Sequence, residues 1–243
     1  MEVWGLTDTG NVRQQNQDAY RIEQLGENAL LAVVCDGMGG ARSGNVASRL
    51  ASEVFSEEVK RSFSAAQTPQ ECERVLRSAA SLANIAVYEQ SLLSEEYSGM
   101  GTTLVAALVH DKTALVVNIG DSRAYHSNAD GVQRVTTDHS VVELMVQRGE
   151  LTPEQAKNHP SKNLITRAVG TSAQVFADVF CLTVRKGDCL LLCTDGLSNQ
   201  MADQEILFEV VHGARMDDCC KRLLEIAKER GAPDNVTSVL IAL

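Results

Sequence analysis

The stretch from Leu30 to Gly44 reads Leu-Leu-Ala-Val-Val-Cys-Asp-Gly-Met-Gly-Gly-Ala-Arg-Ser-Gly, an apolar run that stops at Asp36 and gives way to glycines. The apolar run predicts a buried strand with Asp36 at its end. The glycines let a ligand approach the backbone closely, and residues 45–59 after them have helical spacing. An Asp-Gly pair is also typical of a hairpin, but a hairpin needs a second strand directly afterwards. Because a helix follows here, we discount the hairpin.

The same pattern recurs at three more aspartates. Asp121 and Asp195 each follow an apolar, β-rich run, and Asp234 opens the last run of the chain. One aspartate at a strand end is usually a turn or capping residue. Four of them at strand ends, able to converge on one rim, indicate a site for a hard cation.

Carboxylates without clustered histidine or cysteine favour magnesium or manganese over zinc. Two such ions that share one bridging aspartate, about 4 Å apart, activate a water for displacement at phosphorus. Arg13 is expected near this site, where its guanidinium would grip two phosphate oxygens. Arg13 and Asp18 should lie beside each other on an early loop or strand edge, and a surface ion pair is the alternative interpretation of both. Cys35 lies inside an apolar run and is expected in the core, not as a nucleophile.

Composition excludes several classes of protein. The 243 residues carry a formal net charge of −10, which argues against a nucleic-acid partner because such proteins show basic stripes. The seven cysteines are odd in number and lie mostly in apolar runs, so they are expected to be buried thiols. No signal peptide or long apolar stretch is present, and we therefore expect a cytoplasmic protein that does not enter membranes.

No linker or internal repeat divides the chain, which predicts one domain over residues 1–243. Strands come in blocks with helices grouped between them, as in an α+β layered sandwich. Three β-rich runs between Gly101 and His126 predict an antiparallel meander. A helix is predicted from Pro69 to Leu93, with Thr68 as its N-cap. Two short helices after Asp138 form an insertion that is either a lid beside the cleft or an ordinary surface excursion.

Short motifs in a fixed order carry a resemblance to a known family. The chain resembles the bacterial form of the protein phosphatase 2C (PPM) family of metal-dependent serine/threonine phosphatases. Any single motif is weak evidence, whereas the ordered set spans essentially the whole chain. The motifs are Thr7-Asp8-Thr9-Gly10, Arg13, Asn16-Gln17-Asp18, Asp36-Gly37-Met38-Gly39-Gly40, Gly101-Thr102-Thr103, Gly120-Asp121-Ser122-Arg123, Asp138-His139-Ser140, Thr194-Asp195-Gly196 and Asp234-Asn235-Val236-Thr237.

The resemblance implies a four-layer αββα sandwich of two antiparallel sheets flanked by antiparallel helix pairs. It also implies a small flap insertion at about residues 138–170. The implied reaction is hydrolysis of phosphoserine and phosphothreonine monoesters by a water bridging two Mn²⁺ or Mg²⁺ ions. The implied partners are phosphorylated proteins, with a Ser/Thr kinase as the opposing enzyme. We expect a monomer.

The resemblance also assigns the metal ligands. Asp36 would bridge the two ions, the Gly37 carbonyl would bind the second ion, and Asp195 with Asp234 would complete the first. Asp18 would act on the second ion through water.

Further roles follow from the same resemblance. Asp121, together with Asp195, would hold a weaker third ion, and Arg13 would bind the substrate phosphate. Met38 stands where eukaryotic relatives carry a histidine proposed to protonate the leaving group, so the proton donor is open. Gln17 replaces a common glutamate, which predicts weaker binding of the second ion.

Two functions from other classes stay open. One is a pseudophosphatase that serves as a binding module, which the intact aspartates argue against. The other is a metal-dependent hydrolase of small phosphoesters.

Overall fold

The fold is seen in a computed structural model, which describes residues 1–128, 131–213 and 215–243, without the side chains of residues 40–42. The strands are β1 (Glu2–Asp8), β2 (Asp18–Gly26), β3 (Ala29–Met38), β4 (Gly101–Thr102), β5 (Leu104–His110), β6 (Thr113–Ile119), β7 (Arg123–Asn128), β8 (Gly131–Arg134), β9 (Asp178–Thr183), β10 (Cys189–Cys193) and β11 (Val236–Ala242). The helices are α1 (Gly40–Ser62), α2 (Pro69–Ser91), α3 (Val141–Gln147), α4 (Pro153–Lys157), α5 (Asp195–Ser198), α6 (Asp203–His212) and α7 (Cys219–Glu229), with a 3₁₀ helix at Glu95–Tyr97.

The strands form two antiparallel sheets. One sheet has the order β1-β11-β10-β7-β8, and the other has the order β2-β3-β5-β6-β9 with β4 paired to the end of β3. Helices α1 and α2 cover the outer face of the second sheet, and α5, α6 and α7 cover the outer face of the first. The predicted α+β sandwich of four layers is confirmed.

Strand β3 shows why its sequence is a continuous apolar run. Side chains alternate between the two faces of a strand. Leu30, Ala32 and Val34 point into the core between the two sheets. Leu31, Val33 and Cys35 point outward into the core beneath α1 and α2. Because β3 is buried on both faces, polar residues are excluded along its whole length until Asp36.

Helix α2 begins where its capping sequence predicts. The Thr68 hydroxyl accepts a hydrogen bond from the Glu71 N–H at 3.3 Å, and the Glu71 carboxylate accepts one from the Thr68 N–H at 2.8 Å. This reciprocal pair is a capping box, and Pro69 occupies the first helical position, where its missing N–H costs nothing. The helix ends at Ser91, two residues before the predicted Leu93.

The predicted meander is wrong at its third strand. Strands β5 and β6 form a hairpin, but β7 lies in the other sheet between β10 and β8. Gly120 has a φ of +108°, a left-handed conformation that glycine adopts without strain, and the turn after it carries the chain across the sandwich. Both sheets bury apolar strands, so the sequence pattern does not tell which sheet a strand joins.

Asp36 differs slightly from its predicted position at the strand end, whereas Asp195 lies where predicted. Asp36 lies two residues before the end of β3, because Gly37 and Met38 still pair with β4. Asp195 is the first residue of α5 and so follows its strand across a one-residue gap.

The segment 138–170 lies between β8 and β9, carries α3 and α4, and forms isolated bridges from Ser140 to Ile165 and from Thr102 to Val169. Within the described ranges, no helix is both long and apolar enough to cross a membrane.

Candidate active site

A cleft of about 640 Å³ opens at one end of the sandwich, where strand ends of both sheets meet. Both sheets contribute, since β3 belongs to one and the residues beside β10 and β11 belong to the other. The sequence-predicted residues that line the cleft are Arg13, Asp36, Gly37, Asp121, Asp195 and Asp234. Asp18 is absent from the lining and is 7% exposed. It pairs with Asp36 in the β2–β3 ladder, so both side chains lie on the same face of the sheet.

Thr102, the last residue of β4, and Thr103 after it fix the backbone of Asp36. Its N–H donates to the Thr103 hydroxyl at 2.9 Å. Its carbonyl accepts from the Thr103 N–H at 2.9 Å and from the Thr102 hydroxyl at 2.8 Å. Because the main chain is held on both sides, the Asp36 carboxylate has little freedom except rotation about its own side-chain bonds.

Gly37 has no room for a side chain. A Cβ on Gly37 would lie 2.1 Å from the Gly44 carbonyl oxygen, and a Cβ on Gly44 would lie 2.7 Å from the Gly37 carbonyl oxygen. The glycines therefore let the first turns of α1 pack directly on the end of β3. This close approach also keeps side-chain atoms away from the Gly37 carbonyl, which is the predicted metal ligand.

Asp195 and Asp234 enter from the other sheet. Asn199 donates to Asp195 Oδ2 at 3.0 Å, while Asp195 Oδ1 is buried without a partner among the described residues. Asp234 Oδ1 accepts from the Asn235 N–H at 2.9 Å. Asp234 Oδ2 accepts from Arg13 Nη2 at 2.7 Å.

The prediction that Arg13 and Asp18 lie beside each other is wrong. Arg13 binds Asp234 at the rim of the cleft, and Asp18 lies beneath the floor, where Thr194 and Thr237 donate to it. Pairing of β1 with β11 brings Asp234 next to the loop that carries Arg13.

Asn235 is a structural residue of the site that the sequence analysis did not single out. Its amide nitrogen donates to the carbonyls of Thr9 and Gln15 at 2.9 and 3.0 Å, and its oxygen accepts from the Gln17 N–H at 2.8 Å. One side chain thus holds the loop that contains Arg13 against the start of β11. Its place next to Asp234 in a motif was the available signal.

Asp121 is held by the segment that begins at Asp138. The Gly120 N–H donates to His139 Nδ1 at 3.0 Å, and the His139 N–H donates to the Gly120 carbonyl at 2.9 Å. The other ring nitrogen of His139 lies 3.0 Å from Asp178 Oδ2. These bonds fix the turn that presents Asp121 to the cleft, and they give His139 a structural role in pinning this segment.

The cleft concentrates negative charge that the protein does not neutralise. Burial raises the pKa of Asp18 to about 7 and that of Asp121 to about 8, and neighbouring carboxylates add to both increases. Burial and the same kind of repulsion raise the pKa of Asp36 well above its ordinary value. Burial and Asp234 also raise the pKa of Asp195. Carboxyl groups in this state attract either protons or cations.

The residues present fit a hydrated hard cation better than a closed metal cage. Buried oxygens of Asp18 and Asp195 lack partners in the described part of the chain, and carboxylate oxygens are the ligands that hard cations prefer. No three acidic, histidine or cysteine side chains of the described residues are arranged as a cage. Mg²⁺ and similar ions usually keep several waters and bind only one or two carboxylates, so an open arrangement suits them.

Comparison with known proteins agrees with this chemistry. Residues 11–240 match the protein phosphatase 2C family. The chain is 35% identical to the serine/threonine phosphatase stp of Listeria monocytogenes, over 97% of this chain and 93% of that protein. The S. agalactiae serine/threonine phosphatase has 30% identity and a TM-score of 0.92, with 100% of this chain and 99% of that one covered.

A third relative bears on the metals. The catalytic domain of the phosphatase PstP in complex with 2 manganese ions has 32% identity and a TM-score of 0.84, with 98% of this chain and 96% of that one covered. The chain belongs to the protein phosphatase 2C family of metal-dependent phosphatases. Within that family it is a bacterial-type protein serine/threonine phosphatase.

Proposed function

We propose that the chain hydrolyses phosphoserine and phosphothreonine monoesters of proteins in this cleft with two Mn²⁺ or Mg²⁺ ions. One observation carries the proposal, namely buried carboxyl groups that share a cleft with raised pKa values and face a single arginine at the rim. In the cleft, the carboxyl groups with raised pKa values belong to Asp36, Asp121 and Asp195, and the pKa of Asp18, beneath the cleft floor, is raised as well.

The proposed ligands come from both sheets. Asp36 would bridge the two ions, the Gly37 carbonyl would bind one of them, and Asp195 with Asp234 would bind the other. Asp18 would act on the ion near Gly37 through water. When bound, the two ions supply an activated water and neutralise charge that develops at phosphorus.

We place a third, weaker ion at Asp121. Asp121 lines the same cleft as Asp195, and burial together with the Asp195 carboxylate raises the pKa of Asp121. Met38 also lines the cleft, but its thioether has no proton to donate to a leaving group. The proton must therefore come from another donor near the substrate.

Arg13 is suited to hold the substrate phosphate. Its guanidinium donates through Nη2 to Asp234, while the side chain remains 53% exposed at the mouth of the cleft. A guanidinium offers several N–H donors in one plane and binds two phosphate oxygens at once. The ion pair with Asp234 thus orients the arginine beside the proposed ligands without using all its donors.

We propose that residues 138–170 act as the flap of a single domain that covers residues 1–243. Asn163 and Ile165 of this segment line the cleft. The Thr166 N–H donates to the His139 carbonyl at 2.7 Å within the flap, and the bonds between His139 and Gly120 tie the flap to the turn that carries Asp121. A polypeptide substrate would contact the flap beside its phosphorylated residue.

The cellular setting follows from chemistry and from the relatives. The seven cysteines are free thiols, and six of them are buried, as in proteins of reducing compartments. We propose that the protein acts in the cytoplasm as a monomer and opposes a Ser/Thr kinase.

The test is hydrolysis of a phosphothreonine peptide with added Mn²⁺, with and without chelator. We expect turnover by the wild type, loss of turnover with chelator, and loss in Asp36→Ala and Asp195→Ala. Glu57→Ala removes an exposed carboxylate on α1 and serves as the control that keeps full activity. Turnover that survives both aspartate substitutions would overturn the placement of the metals.

Two other results would redirect the proposal. A well-folded wild type without turnover would indicate a binding module. Faster turnover of nucleotides or sugar phosphates than of the phosphopeptide would indicate a small-molecule hydrolase.

A further inference from the structure

The two carboxylate oxygens of Asp18 differ in their hydrogen bonds. Oδ2 accepts hydrogen bonds from the Thr194 hydroxyl at 2.9 Å and from the Thr237 hydroxyl at 2.6 Å. Oδ1 is buried and has no partner in the part of the chain that the structure describes. The two threonines therefore occupy one oxygen and leave the other unused.

The hydroxyl protons in this network have only one consistent arrangement. The Thr237 hydroxyl lies 2.7 Å from the Thr7 hydroxyl, and Asn16 Nδ2 donates to the Thr7 hydroxyl at 2.8 Å. A hydroxyl has one proton, and that of Thr237 goes to Asp18. The Thr7 hydroxyl must then donate to Thr237. The bonds run in one direction from Asn16 through Thr7 and Thr237 to the carboxylate.

Thr194 is oriented in the same way. Its hydroxyl oxygen accepts from the Thr237 N–H at 3.0 Å, so its own proton points to Asp18. Each hydroxyl that meets Asp18 is thus fixed by a donor behind it. Chains of this kind strengthen the last bond, because each donor polarises the next.

The network also joins the two sheets. Asp18 starts β2 of one sheet, whereas Thr7 and Thr237 are paired residues on β1 and β11 of the other. Thr194 directly precedes Asp195, and Thr237 follows Asp234 by three residues. The hydroxyls therefore set Asp18 in position relative to the proposed ligands that the opposite sheet supplies.

We propose that Thr194 and Thr237, supported by Thr7 and Asn16, are positioning residues that hold Asp18 with Oδ1 free for a hydrated cation in the cleft. The inference rests on the proposed metal site. It assigns a function to threonine hydroxyls that lie outside the cleft and cannot touch substrate.

The test is Mn²⁺ binding measured by titration calorimetry on the metal-free full chain. Thr237→Val keeps the shape and strand preference of the side chain but removes its hydroxyl. We expect Mn²⁺ to bind about tenfold more weakly, the lower end of what outer-shell partners of ligands contribute. Thr237→Ser restores the hydroxyl and should restore the affinity. Asp18→Asn sets the full size of the effect.

Thr136→Val is the matched control. Thr136 is 2% exposed, and its hydroxyl accepts from the Ala124 N–H at 3.1 Å, so the substitution removes a buried hydroxyl of equal size away from Asp18. We expect its Mn²⁺ affinity to match that of the wild type. An equal loss in Thr136→Val, or an unchanged affinity in Thr237→Val, would overturn the inference.

Turnover separates positioning from general damage. Thr237→Val should need about tenfold more Mn²⁺ for half-maximal rate but should approach the wild-type kcat at saturating Mn²⁺. If Thr237→Val does not fold, Thr7→Val tests the same series of hydrogen bonds one bond further from Asp18, with a smaller expected loss of Mn²⁺ affinity because Thr7 acts only by polarising the Thr237 hydroxyl. Unchanged affinity in Thr7→Val would then count against the inference. Because calorimetry does not depend on phosphatase activity, failure of the proposed reaction would leave this result readable.

Discussion

The carboxylates of the cleft and those of a neighbouring cluster differ in whether the protein supplies them with arginine partners. The neighbouring cluster consists of Arg123, Arg134, Asp138 and Glu143 and is called the paired cluster here. In the paired cluster, Arg123 binds Asp138 through Nε at 3.0 Å and through Nη2 at 2.6 Å. Arg134 binds Glu143 at 3.2 Å. In the cleft, one arginine at the rim faces several carboxyl groups whose pKa values are raised.

The charged residues of the paired cluster stabilise the fold, whereas the carboxylates of the cleft are suited to bind a ligand. Burying a carboxylate costs free energy unless a partner compensates it. Each carboxylate of the paired cluster has its partner in the protein. In the cleft the compensation is only partial among the described residues: Asn199 donates to Asp195, yet burial and neighbouring carboxylates still raise the pKa of Asp195. Substitutions in the two regions should therefore have opposite effects on stability.

The largest expected effect is on turnover. Asp195→Asn should lower kcat by about 10²–10³-fold, because it removes one oriented charge from the reacting centre. In chelator, the same variant should melt higher than the wild type, by roughly 2–4 °C per 1 kcal/mol of relieved repulsion. Peptide turnover and thermal melts measure the two effects. A lower melting temperature of Asp195→Asn in chelator would contradict the claim that the cleft carboxylates destabilise the metal-free protein.

The next effect is on stability in the paired cluster. Arg123→Met should destabilise the protein by about 3–5 kcal/mol, because it leaves Asp138 buried without its bidentate partner. Urea unfolding of the metal-free chain measures the loss. The double variant Arg123→Met with Asp138→Asn should recover part of it, since the stranded charge is removed. A double variant as unstable as Arg123→Met would show that shape, not charge, governs this cluster.

The sequence predicts the carboxylates of the cleft but not the ion pairs of the paired cluster. Asp36, Asp121 and Asp195 were identified because each adjoins a buried strand, and such positions are visible as the point where an apolar run ends. The paired cluster was not identified, because Arg123 and Asp138 meet only after β7 joins the other sheet. That crossing depends on the turn at Gly120, and an apolar strand pattern fits either sheet equally well.

Long-range pairing also explains the misplaced arginine. Arg13 and Asp234 are 221 residues apart in sequence and become neighbours through the pairing of β1 with β11. Asp18 is only five residues from Arg13, yet it starts a strand that turns its side chain into the interior. Local spacing therefore located the site's members but not their contacts.

Substitution of Arg13 should have a smaller effect, and it tests the phosphate-binding part of the cleft separately from the proposed metal ligands. Arg13→Lys should lower kcat/KM by about tenfold, because an ammonium cannot bind two phosphate oxygens as the planar guanidinium does. Stability should change by less than about 1 kcal/mol, since the Asp234 pair is exposed to solvent. Inhibition by inorganic phosphate provides a second measure, and it should weaken in parallel. Equal kcat/KM in both proteins would remove Arg13 from the phosphate site.

The last effect is the pH dependence of metal-free stability. In the unfolded chain an aspartate titrates near 3.8, whereas burial raises the pKa of Asp18 to about 7 and that of Asp121 to about 8 in the folded protein. Between about pH 4 and pH 8 the folded protein therefore binds more protons than the unfolded chain. Its stability in chelator should fall as the pH rises through this window and level off above it.

Asp121→Asn tests the origin of that slope, because it removes one carboxyl group with a raised pKa and should make the melting temperature less dependent on pH between about 5.5 and 8. Saturating Mn²⁺ should flatten the wild-type slope in the same range, since bound cations take the place of the protons that the cleft carboxylates otherwise hold. Melting curves over this pH range, with chelator and with Mn²⁺, provide the measurement. A metal-free melting temperature that rises with pH, equally in both proteins, would mean that the cleft carboxylates are compensated within the fold, as those of the paired cluster are.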